Sequence, residues 1–79
     1  MQKKIIKKNH KDIKKMIKEN DLNAISNKME ENLKCLADFS KDEFVVDYAN
    51  RLIRQLELDI DYAKIIFYNY KKLYHIVCN

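Results

Sequence analysis

Eight lysines fall within the first eighteen residues, at positions 3, 4, 7, 8, 11, 14, 15 and 18. Ammonium groups at that density do one kind of chemistry. They neutralise anions: nucleic-acid phosphates, acidic protein surfaces or anionic lipid headgroups. At about 100° per residue, all eight fall within about 140° of one helix face. Ile5, Ile6, Ile13, Met16 and Ile17 take the opposite face. Lys4, Lys7, Lys8, Lys11, Lys14, Lys15 and Lys18 are therefore the candidate anion-binding residues. The same segment holds no arginine, which removes bidentate reading of guanine. It also holds no Phe, Tyr or Trp, which weakens both base stacking and membrane-interface anchoring. Sequence-specific DNA binding by this helix is not expected. The plainer alternative is a solvated helix face in a lysine-rich composition.

Other reactive side chains are sparse. His75 and Cys78 stand three residues apart, with His10 and Cys35 elsewhere, and no zinc-ligand spacing is present. Nothing resembles a Cys–His nucleophile, a paired-carboxylate motif or a phosphate-cradling loop. No enzymatic activity, metal or cofactor is expected. Two cysteines do not make a disulfide framework, so they read as reduced thiols in a cytoplasmic protein. The basic start is not followed by an apolar run of signal-peptide length, and no run is long enough to span a membrane.

The elements that must position these groups are helices. The 79 residues include no glycine and no proline, which disfavours tight hairpins and glycine-capped ends. The expected fold is one all-α domain, residues 1–79, with helices over about 2–19, 22–38 and 41–77. The apolar stripe Leu22, Ile25, Met29, Leu33, Leu36 is displaced by about 180° from the first stripe, which places a turn near Asn20-Asp21. Ser40-Lys41-Asp42-Glu43 reads as a capping box that opens the third helix. From Phe44 the stripe Val45, Tyr48, Leu52, Leu56, Ile60, Ala63, Phe67, Tyr70, Tyr74, Val77 stays in phase to the end. That phase favours one helix of about 54 Å, with a break at Asp59-Ile60-Asp61 as the alternative. Asp59 falls in the stripe, so it is either buried with a cationic partner or released to solvent by such a break.

Leu58, Tyr62, Ile65, Tyr68 and Ile76 lie largely opposite the core stripe. They are the candidate partner-binding residues, since a chain this short cannot readily bury both faces of a helix. The expected architecture is a small helical bundle: a helical hairpin packed on a long C-terminal helix. Because that helix is twice as long as either of the others, a homodimer through its C-terminal half is expected. Charge is uneven, with a balance of +6 over residues 1–20 and −2 over residues 21–79.

The leading functional expectation is a non-enzymatic protein–protein interaction module, acting as regulator, inhibitor or adaptor. Its composition suits a phage or plasmid product aimed at a nucleic-acid-processing complex. The alternative is weakly sequence-specific nucleic-acid binding through the lysine-rich first helix. A third reading is a bacteriocin-immunity type of helical bundle working near a membrane.

Overall fold

Two aspartates set the starts of the second and third helices. In the computed structural model, which describes residues 2–78, the order is α1 (Gln2–Glu19), α2 (Leu22–Ser40), α3 (Glu43–Leu58), a 3-10 turn (Ile60–Tyr62) and α4 (Ala63–Cys78). Asp21 caps α2 by accepting from the Ala24 amide at 3.2 Å. Asp42 caps α3 by accepting from the Phe44 amide at 2.8 Å. Each is preceded by a residue in the left-handed region, Asn20 at φ 60° and Lys41 at φ 59°. Glycine would normally take such a position. Asn tolerates it, whereas at Lys41 the conformation costs about 1–2 kcal/mol. The Lys41 amide closes α2 on the Ala37 carbonyl at 3.0 Å.

The capping box expected at Ser40 is not formed. Ser40 is the last residue of α2, and its hydroxyl only accepts from the Asp42 amide at 3.4 Å. The left-handed Lys41 carries the chain two residues past the expected start. Asp42→Ala should therefore lower stability by about 1 kcal/mol in chemical denaturation, with Ser40→Ala well below that. Equal losses would mean that Ser40 shares the capping role.

The single long third helix is also replaced by two. Asp59 adopts φ −158° and ψ 116°, and its carboxylate accepts from the Asp61 amide at 2.9 Å. The side chain is exposed, not buried in an ion pair. Its short polar side chain stabilises the turn and not a continued helix. α3 and α4 have sixteen residues each, about 24 Å. They match the other helices in length, so the overhang that argued for a dimer is absent.

α2 lies at the centre and packs against α1, α3, α4 and the 3-10 turn. It contributes Ile25, Met29, Leu33 and Leu36, all fully buried. Against them stand Ile6 and Ile13 from α1, Ala49, Leu52 and Leu56 from α3, and Ile66, Tyr70 and Leu73 from α4. Phe44, expected in the core stripe, is 60% exposed. The α1 backbone follows α2 and hardly approaches α4. That separation leaves a cleft between α1 and α4, bridged by large side chains.

Candidate functional site

The floor of the cleft is a buried polar network. Asn32, fully buried in the middle of α2, donates from Nδ2 to the Ile6 carbonyl at 3.2 Å and to the Tyr70 hydroxyl at 2.7 Å. Its Oδ1 accepts from Asn9 Nδ2 at 3.3 Å. The Tyr70 hydroxyl stands 2.9 Å from His10 Nδ1. Since that oxygen already accepts from Asn32, its own hydrogen is satisfied by donating to Nδ1. His10 is then neutral, with its proton on Nε2. The His10 ring also stacks on Tyr74, with centroids 3.7 Å apart and planes at 4°. No buried side-chain nitrogen or oxygen among the described residues lacks a partner.

The electrostatics agree with that proton assignment. Burial, then Lys14, His75 and Lys71, hold the His10 imidazolium down to about 4. Burial raises the Tyr70 phenol well above its ordinary value, opposed by the hydrogen bond from Asn32. Neither group ionises near neutrality.

Above this floor, Lys7, Lys8, Lys11 and Lys14 from α1 face Tyr74 and His75 from α4 around a recess of about 570 Å³. Lys4, Lys15 and Lys18 are exposed on the same helix but do not line it. Lys8 pairs with Asp12 at 3.5 Å. Among the described residues, no other α1 lysine is in an ion pair. The two helices that wall the cleft carry eleven lysines and only two carboxylates, Asp12 and Glu19. Residues 20–62 between them carry five basic and ten acidic groups. The charge is thus sorted by helix, with the positive end on the cleft.

Sequence reasoning located the lysines and missed the rings and the network. One signal was available. Asn9 and His10 sit between Ile6 and Ile13 on the apolar face of α1, at core spacing. A polar residue at a core position needs a buried partner. Nothing in the sequence indicated which partner.

The five apolar candidates are all exposed: Leu58 83%, Tyr62 50%, Ile65 65%, Tyr68 59% and Ile76 64%. They do not form one continuous patch. Leu58, Tyr62 and Ile65 line a depression of about 390 Å³ together with Gln55 and Ile66. Ile76 shares a smaller one with Phe44, Tyr48, Lys72 and Leu73 at the other end of the α3–α4 pair. Tyr68 lies between them under the Lys72 ammonium, 4.6 Å from the ring centroid.

Cys35 and Cys78 are free thiols, both raised chiefly by burial. No three His, Cys, Asp or Glu residues gather as metal ligands would among the described residues. None of the described helices is long and apolar enough to cross a membrane. The fold and site define an all-α bundle with a basic, ring-floored cleft. Compared with known protein families, curated proteins and solved structures, the chain matches none.

Proposed function

We propose that this protein is a small non-enzymatic interaction module, a regulator, inhibitor or adaptor that acts by occupying a protein surface. Leu58, Tyr62, Ile65, Tyr68 and Ile76 are its contact residues. The observation that carries this reading is the exposure of all five, each by half or more, on a chain of 79 residues. Large apolar side chains gathered around an open recess, as Leu58, Tyr62 and Ile65 are, become an aggregation liability unless a partner covers them. Leu58, Tyr62 and Ile65 form the anchor, because they surround a recess that a partner side chain can fill. Tyrosine at Tyr62 and Tyr68 suits a surface that is apolar at one end and wet at the other. The basic cleft lies apart from these contacts, which suits a target that handles nucleic acid.

Ile65→Lys tests the reading. The position is 65% exposed, so helical circular dichroism should be kept. A desolvated, unpaired ammonium at the anchor should abolish association. Sedimentation should show the wild type as a self-associated species, or as a complex with its isolated partner, and the variant as a monomer. A wild type and variant with equal mass and equal partner binding would refute the proposal.

A further inference from the structure

We infer that the cleft between α1 and α4 is a binding site for single-stranded nucleic acid. The inference uses a different face from the apolar contacts, so either can fail alone.

Three observations converge on that ligand class. First, Lys7, Lys11 and Lys14 line one wall of the recess, and none is in an ion pair among the described residues. Their axial spacings on the helix are about 6 and 4.5 Å. A flexible strand can place successive phosphates along such a row. Second, α4 on the opposite wall carries no carboxylate, and its Lys71 acts with Lys14 on His10, so positive charge prevails in the cleft, with Asp12 beside Lys8 as the one carboxylate among the described residues paired to a lining lysine. An anionic polymer is drawn there and kept off the acidic side of the molecule. Third, the recess ends on rings. His75 is exposed, and the stacked His10–Tyr74 pair lies beside it, the His75 ring 5.3 Å from Tyr74 and 6.0 Å from His10. A charged groove ending on aromatic rings is how single strands are held without sequence preference.

The same features argue against the two nearest alternatives. A duplex keeps its bases stacked inside a rigid cylinder and has nothing to offer the rings. An acidic peptide satisfies the lysines but leaves the exposed His75 ring without a role.

The test uses the full chain and a fluorescein-labelled oligothymidylate of about 15 nucleotides, a length within the range such grooves cover. Fluorescence anisotropy should show saturable binding. It should weaken about 20-fold when salt rises fourfold, if three phosphates are neutralised. Lys7→Gln/Lys11→Gln/Lys14→Gln should weaken binding about tenfold or more. Lys28→Gln/Lys34→Gln/Lys41→Gln, which loses the same charge outside the cleft, should bind like the wild type. His75→Ala should weaken binding about fivefold through lost stacking. All seven positions except Lys28 are exposed and Lys28 is half-buried, so each variant should keep its helical circular dichroism. The inference is overturned by absence of saturable binding, by equal losses in the two triple variants, or by unchanged binding in His75→Ala. It is also overturned if a duplex binds as tightly as the strand, or if an oligoglutamate of equal charge competes as well as an unlabelled strand.

Discussion

Asn32→Ala should destabilise the protein by about 3 kcal/mol, the largest loss expected from truncating one polar side chain. Asn32 makes three of the four hydrogen bonds of the buried network, to Asn9, the Ile6 carbonyl and Tyr70, and His10 joins through Tyr70. Its removal leaves the Asn9 amide without its acceptor and takes a donor from the Tyr70 oxygen. Each buried group stranded this way costs about 1–3 kcal/mol. A void where the amide stood adds to the loss. For a domain of this size, total stability is about 4–12 kcal/mol, so the variant should be close to unfolding. Urea denaturation near pH 7.5 measures the loss, with the exposed Asn50→Ala as a control expected within about 0.5 kcal/mol of wild type. A loss below about 1 kcal/mol at Asn32 would mean that water replaces the amide at no cost.

Acid should weaken the protein by a comparable amount, through His10. Folded, its imidazolium is held down to about 4, against an ordinary value of 6.5. The unfolded chain therefore takes up a proton at a pH where the folded protein does not. Stability rises with pH wherever the unfolded state binds more protons. The contribution is complete above about pH 6.5, falls by about 1.4 kcal/mol for each pH unit below that, and levels off near pH 4. A proton on Nδ1 would also leave the Tyr70 hydroxyl hydrogen without its acceptor. Urea midpoints between pH 7.5 and 4.5 should fall steeply in the wild type and less in His10→Gln, whose amide oxygen can accept but cannot titrate. Parallel pH profiles for the two proteins would assign acid sensitivity to the carboxylates instead.

The elements differ in how plainly their residues announce them. α1 and α2 were legible because their apolar stripes disagree in phase, and a phase jump has no solution except a turn. The break at Asp59 was legible only as the alternative to one long helix, for the opposite reason. Leu56, Ile60 and Ala63 keep helical spacing straight through a 3-10 turn, so periodicity could not report it. At Ser40 the motif for a capping box was complete, but a lysine in a left-handed conformation took the chain past it. The lysine face was readable from α1 alone. The cleft was not, because its rings arrive from α4, sixty residues away at the His10–Tyr70 contact. Asn32 carried the same signal as Asn9, an amide at core spacing between Met29 and Leu36, but its partners on α1 and α4 could not be read from the sequence.

The brevity of the turns bears on the order in which the molecule assembles. α1 to α2 and α2 to α3 are each joined by two residues, and α3 to α4 by a single residue and a 3-10 turn. Closing those hairpins sacrifices little chain entropy, and without proline no slow isomerisation intervenes. The pairing of α1 with α4 is the exception, since it must bring the two ends of the chain together. It gathers its reward only after α2 has been covered by both neighbours. By that argument the pairing of α1 with α4 is the last of the helix contacts to form.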